Sequence, residues 1–293
     1  VPSNEQRREA AKRKLERQLE RRAERARKRK QMTIAGTALG VVVVVGVVGG
    51  LIWFSNRSDD DANTTNTAAD DSSLTPQTAG AMPAGLSTPL ADTVSCSYPA
   101  DGATASKANN PPRTDGIPTT APDATPSISV ETSQGNIGLT LDGTKSPCTV
   151  NSFVSLAQQD YFNDTTCHRM TTSPSLQVLQ CGDPSGAGSG GPGYGFDNEF
   201  PTTAYATTDP AAQEPVTYAR GTVAMANTGT PGSNGSQFFL VYGDSQLPPQ
   251  YTVFGTIDET GLATLDKVAA GGSTPEGDGK PNLTTDIKTV RLD

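Results

Sequence analysis

The chain of 293 residues has one histidine, one tryptophan and four cysteines. A single imidazole, with no two cysteines in CxxC spacing, leaves little material for a zinc site, and no metal or other cofactor is expected. Aromatic residues make up only 5%, against 30 glycines and 22 prolines, so part of the chain builds no core. The Gly-rich stretch Gly182–Gly195 has no GK[ST] after it and opens no clear helix, which argues against a phosphate-binding loop. No other ATP-binding motif is present, so chemistry driven by nucleotide hydrolysis is not expected.

What is there is unevenly distributed. Val1–Gln31 carries thirteen Lys/Arg against five Glu, a balance of +8. The whole chain has 23 basic and 31 acidic residues, so the remainder holds 10 and 26, or −16. A basic arm precedes an acidic body. The arm is rich in helix formers with Glu/Arg pairs three and four apart, but has no continuous apolar face. It reads as a solvated helix or disordered segment.

Met32–Phe54 is an uncharged, largely apolar run of 23 residues, long enough to cross a bilayer core as a helix. Trp53 lies at its far end, where indoles favour the interface, and the basic arm puts the N-terminus in the cytoplasm. The expectation is an uncleaved, single-pass signal anchor in a bacterial cell membrane, with all that follows Phe54 extracytoplasmic. A cleaved signal peptide is the alternative; the long charged arm and the missing A-x-A site argue against it. The arm abuts anionic lipid on the inner face, which favours a membrane role over a nucleic-acid role.

Residues 55–126 are rich in Ser, Thr, Ala, Asp, Asn, Pro and Gly, a composition that predicts a flexible extracytoplasmic linker. Within it Thr93–Pro99 alternates Val94, Cys96 and Tyr98, a short strand or hook pinned to the folded domain through Cys96. Four cysteines on the exported side are compatible with two disulfides and allow three connectivities. The reading favours Cys167 with Cys181, which flank a predicted hairpin, and Cys96 with Cys148; free buried thiols are the alternative.

The folded domain is expected over 127–293. Ser127–Leu141 alternates apolar and polar about Gly135, a hairpin pattern. Pro147–Asp160 reads as a helix with Val150, Phe153, Val154 and Leu156 on one face, and Gly261–Ala270 as a second. Strands are predicted at Cys167–Met170, Gln177–Gln180, Thr217–Ala226, Ser236–Tyr242, Val253–Ile257 and Asp286–Leu292. Many short strands with two helices argue for a mainly β, closed barrel.

Two stretches single themselves out. Thr222–Phe239 places Asn227 and Gln237 around a Gly/Pro/Ser/Asn loop that leads into Phe238 and Phe239; Cys167–Asp183 holds the one histidine, His168, beside Arg169. Together with their neighbours they resemble the cyclophilin family of peptidyl-prolyl cis-trans isomerases. The matching pieces are HRM (His168–Met170), QCGD (Gln180–Asp183), GGPGYGFDNEF (Gly190–Phe200), AMAN (Ala224–Asn227), NGSQFF (Asn234–Phe239) and TVFGTI (Thr252–Ile257), in the family's order. The first 125 or so residues lie outside the resemblance.

The resemblance implies an eight-stranded antiparallel barrel with a helix over each open end. It implies that Arg169 is the catalytic arginine, that Gln180 positions it, and that Asn227 hydrogen-bonds the substrate backbone. Val178, Ala226, Gln237, Phe239, Leu247 and Tyr251 would form the substrate groove. Three departures stand out. Arg169 and Gln180 are eleven positions apart, longer than is usual in the family, and Leu176-Gln177-Val178 replaces Gly-Phe-Met. The pocket histidine is Tyr251, which can still pack and donate a hydrogen bond. The loop tryptophan is Gln246, which implies weak cyclosporin binding.

These residues suit isomerisation of X–Pro bonds in exported or unfolded polypeptides. The barrier, about 18–20 kcal/mol, comes from amide resonance. No bond breaks, so neither nucleophile nor metal is needed, only a rigid donor for the twisted nitrogen. A binding module or scaffold that holds proline segments without turnover is the alternative, and a nucleic-acid binder is disfavoured.

Overall fold

The structure is a computed structural model that describes residues 79–293. They belong to the second of two units, Leu74–Asp293. The basic arm, the membrane-spanning helix expected at Met32–Phe54 and the first part of the expected linker lie outside the described residues. Among the described residues, no helix is long and apolar enough to cross a membrane.

Among the described residues there are fifteen short strands and two α-helices. The hairpin about Gly135 is β3 (Ser127–Thr132) and β4 (Asn136–Leu141), and the alternation of Ile128, Val130, Ile137, Leu139 and Leu141 sends one face inward. Helix α1 (Pro147–Gln158) buries Val150, Phe153, Leu156 and Ala157, with Phe153 stacked on Phe162 at 4.9 Å and edge-on to Phe238 at 5.3 Å. Its N-terminus is capped from afar: the Glu199 carboxylate accepts from Cys148 N (3.0 Å), Thr149 N (2.8 Å) and Thr149 Oγ1 (2.7 Å). Helix α2 (Glu259–Ala270) starts two residues earlier than expected, because Asp258 caps it by accepting from Gly261 N at 2.6 Å.

The remaining strands are β5 (Thr165–Thr166), β6 (Arg169–Ser173), β7 (Leu176–Cys181), β8 (Val216–Tyr218), β9 (Thr222–Met225), β10 (Phe238–Gly243), β11 (Ser245–Leu247), β12 (Val253–Ile257), β13 (Ser273–Thr274), β14 (Asp278–Pro281) and β15 (Asp286–Leu292). The strand expected over Thr217–Ala226 is split into β8 and β9 at Gly221, whose φ of +92° breaks the pleat.

The main sheet is antiparallel and runs β13-β14-β6-β7-β10-β9-β12-β4-β3-β15-β5. This corrects the expected closed eight-stranded barrel: eleven strands wrap the core, but the hydrogen-bonded order is open. The ends are β5, paired with β15, and β13, paired with β14 beside β6. β5 and β6 are consecutive in the chain, and between them Cys167 N donates to Thr285 O while His168 N donates to Gln180 O. The backbone changes partner there, so covalent continuity, not a ladder, spans the gap. The two helices match the expected number.

The linker expectation also changes. Over residues 79–126 the chain is packed on the sheet despite its polar composition. β1 (Thr93–Val94) pairs with β2 (Ile117–Pro118), the Cys96–Cys148 disulfide is formed, and Tyr98 donates to Cys148 O at 2.7 Å. Gly80 bridges Val216, with Gly80 N to Pro215 O at 2.8 Å and Thr217 N to Gly80 O at 2.9 Å. A disulfide, backbone hydrogen bonds and the burial of Cys96, Tyr98 and Ile117 in the core together order a stretch of mostly polar composition. Cys167–Cys181 is the second disulfide.

Candidate active site

Register brings the expected residues together. Arg169 on β6 faces Gln180 on β7, Gln180 faces Phe239 on β10, and Phe239 faces Ala224 on β9. Directly opposed residues share a face, so the arginine, the amide and the aromatic ring line one row across four strands. The long Arg169–Gln180 spacing is absorbed harmlessly. β6 and β7 pair without slippage from Arg169↔Gln180 to Ser173↔Leu176, so the extra residues lengthen the hairpin beyond the row.

Arg169 is held on two sides. Its Nε donates to Asp278 Oδ1 at 2.7 Å and Nη2 to Asp278 Oδ2 at 2.8 Å, while Nη1 donates to Gln180 Oε1 at 3.0 Å. Three of its five N–H groups are thus occupied, leaving two for a ligand. The Asp278 hydrogen bonds raise the guanidinium pKa further, and the same bonds hold the Asp278 carboxyl below its usual range. Gln180 Nε2 donates to Gln237 Oε1 at 2.9 Å, and Gln237 Nε2 donates to Gly190 O at 3.0 Å. This relay fixes the orientation of every amide in it.

Beside the row lies an apolar cluster of Val178, Val216, Tyr218, Ala224, Phe239 and Val241, with Leu176, Ala226, Leu247, Tyr251 and Met82 packed against it. The Phe239 and Tyr251 rings meet edge-on at 5.8 Å. Asn227 is more committed than expected: its Nδ2 donates to Gln250 O (2.8 Å) and Asn198 Oδ1 (3.2 Å), and its Oδ1 accepts from Gly229 N (2.9 Å). Its side chain builds the loop, which leaves main-chain groups for any ligand contact.

The Gly-rich loop does cradle an anion, but an internal one. Asp183 accepts from Gly188 N (2.7 Å), Gly190 N (3.0 Å), Ser185 N (2.7 Å) and Ser185 Oγ (2.8 Å). Burial acts to raise this carboxyl, and the hydrogen bonds overcome it to leave the pKa below normal. Against the loop sits His168, whose two ring nitrogens are buried without hydrogen-bond partners among the described residues. Burial lowers its pKa from 6.5, against the opposing pull of Asp183.

Three contributors were missed in the sequence. Asp278 lies 109 residues from the arginine it grips. Tyr218 Oη donates to Tyr251 O at 3.0 Å and so pins the loop that carries Tyr251. Met82 reaches the apolar cluster from the expected linker. None sits in a matching motif; the only sequence signal is Tyr218, an aromatic on a predicted strand.

The model of the cyclophilin type peptidyl-prolyl cis-trans isomerase/CLD family matches residues 127–292, more than half of the chain. The chain belongs to the cyclophilin family. It is 58% identical over 201 residues to the probable peptidyl-prolyl cis-trans isomerase B of Mycobacterium leprae, covering 68% of this chain and 67% of that one. It is 59% identical over 199 residues to the protein of the same description in Mycobacterium tuberculosis, covering 68% and 64%. The chain thus spans about two thirds of the length of these relatives. A crystal structure of a cyclophilin type isomerase from Cryptosporidium parvum aligns with a TM-score of 0.46 at 27% identity, over 58% of this chain and 98% of that one.

Proposed function

We propose that this cyclophilin accelerates cis/trans isomerisation of X–Pro bonds in exported polypeptides. The observation that carries the reading is Arg169, gripped by Asp278 and Gln180 at the edge of the apolar cluster around Phe239. A proline ring seated against Phe239, Leu247 and Tyr251 stays fixed while the carbonyl side turns. The nitrogen pyramidalises as resonance is lost and becomes an acceptor. The free N–H groups of Arg169 then bind the twisted state better than either planar one, which is what lowers the barrier. Gln180 and Asp278 hold the guanidinium still, so little reorganisation is needed at that moment. Gln237 orders Gln180, and Asn227 and Ala226 offer main-chain groups to the substrate strand.

Export is supported by both disulfides, which persist in oxidising compartments, and by the apolar run at Met32–Phe54 behind a basic arm. The run anchors the enzyme with its N-terminus in the cytoplasm, and tethering raises its local concentration near emerging chains. Flotation of the full chain with lipid vesicles, lost on deletion of Met32–Phe54, tests the anchor; equal flotation of both forms contradicts it. Gln246, exposed on β11, offers no indole to cyclosporin, so that drug binds weakly.

The competing reading is a groove that binds proline segments without turnover. Its support is the altered wall, where Leu176, Val178 and Met82 supply the apolar mass. Acceleration of an Ala-Pro peptide that disappears in Arg169→Ala favours the enzyme; binding without acceleration favours the module.

A further inference from the structure

Next to the Arg169–Gln180–Gln237 relay is a cavity of about 470 Å³. Gln180, Gln237 and Asn227 form its inner side, and the Gly188–Gly191 turn its floor. Its outer wall is Asp101, Ala103, Thr104 and Ser106, from a segment that precedes the family match. The wall is built in. Asp101 N donates to Gly193 O (3.3 Å), Ser106 N donates to Gly191 O (2.9 Å), and Gly191 N donates back to Ser106 Oγ (3.1 Å). Asn109 Nδ2 donates to Pro192 O (3.0 Å), and Lys107 Nζ donates to Asp160 O (2.6 Å) and Asn163 O (2.9 Å). A Cβ at Gly190 would lie 2.0 Å from Asp183 Oδ1 and 2.4 Å from Ser106 Oγ, so the loop carboxylate and the wall together crowd that position. The Cys96–Cys148 disulfide anchors the stretch upstream.

The lining is small, amide or hydroxyl except for one formally charged side chain, Asp101. Its Oδ1 accepts from Ala103 N at 2.8 Å, which fixes the carboxylate at the wall. We propose that Asp101–Ser106, contributed by the segment ahead of the family match, is a specificity wall added to this groove: Asp101 selects Lys or Arg over Asp or Glu at a residue flanking the substrate proline. The cavity opens directly off Gln180 and Gln237, so a peptide held at Arg169 has a neighbouring side chain within reach. The contact is far from the rotating bond and is made equally in the planar and twisted states, so it acts through KM rather than kcat.

This inference rests on the proline-directed reading of the site. The test uses the full chain and peptides with Lys, Ala or Glu at each of the two positions before proline and the one after. Wild type is compared with Asp101→Asn and Asp101→Lys, each rate divided by that variant's own rate on the Ala peptide. At one position wild type should favour Lys over Glu about fivefold at low salt. The preference should vanish in Asp101→Asn, invert in Asp101→Lys, shrink as salt rises, and lie in KM. The same Lys:Glu ratio in all three proteins, or a change confined to kcat, overturns the wall. If wild type turns over no peptide, the isomerase reading fails on its own. The wall is then judged by the affinities of the same peptides, with the same pattern supporting it and a flat pattern overturning it.

Discussion

Arg169 is useful only if its guanidinium stays where a twisted nitrogen will be. An arginine loses much side-chain freedom when held, and two partners share that cost here: a bidentate carboxylate and one amide oxygen. Asp278 is itself exposed, so the pair contributes little to stability and its role is geometric. Asp278→Ala should lower kcat about tenfold while leaving the melting temperature nearly unchanged. Proton exchange spectroscopy on an Ala-Pro peptide, beside a thermal melt, checks both; an unchanged kcat contradicts the positioning role. Arg169, Gln180 and Phe239 were legible in the sequence because short motifs carry them and a strand register of period two puts them on one face. Asp278 was not, because nothing in DGKP at 278–281 marks it as the partner of a residue 109 positions away. Asn227 was legible as a site residue, whereas the bonds of its side chain within the loop, to Gln250 O, Asn198 Oδ1 and Gly229 N, were not.

At the scale of elements, the polar stretch before Ser127 is the part least legible in the sequence. Composition predicts disorder where apolar area is the only source of stability, and it takes no account of cross-links. Cys96–Cys148 closes a separation of 52 residues and Cys167–Cys181 one of 14. Loop-closure entropy assigns them about 4 and about 3 kcal/mol. Replacing each pair by serines and measuring urea unfolding should reproduce that order. The Cys96→Ser/Cys148→Ser protein should also lose the Asp101–Ser106 wall, seen as faster amide exchange across 93–118. Unchanged exchange would contradict the view that the disulfide orders this segment. The lengthened β6–β7 hairpin makes the complementary point. The long spacing from Arg169 to Gln180 reads as a departure from the family pattern, but antiparallel pairing passes the extra residues outward and leaves Arg169 opposite Gln180. Closure of the barrel was over-read for a related reason: strand count follows from pattern, whereas which strands meet depends on where the chain changes partner, here at Cys167–His168.

For the whole molecule, the one histidine gives a measurable signature in stability. His168 is half-buried with both ring nitrogens out of reach of water, and burial lowers its pKa from 6.5 in the fold. The unfolded chain therefore binds the proton more readily, and stability rises with pH across the window between the folded value and 6.5. On acidification from pH 7 to 5 the protein should lose stability, and His168→Gln should flatten that slope; identical slopes contradict the assignment. The basic arm and acidic body belong to the same scale, as do the proposed anchor and the proposed exported position. The account's central claim concerns Arg169, and the most direct measurement is cis/trans exchange in an Ala-Pro peptide by NMR. Wild type and Arg169→Ala would be compared as full chains in mild detergent, both shown folded by near-ultraviolet circular dichroism. The account predicts clear acceleration by wild type and a loss of about 10²-fold or more in the variant. A folded wild type that does not accelerate exchange, or a variant as fast as wild type, would contradict it.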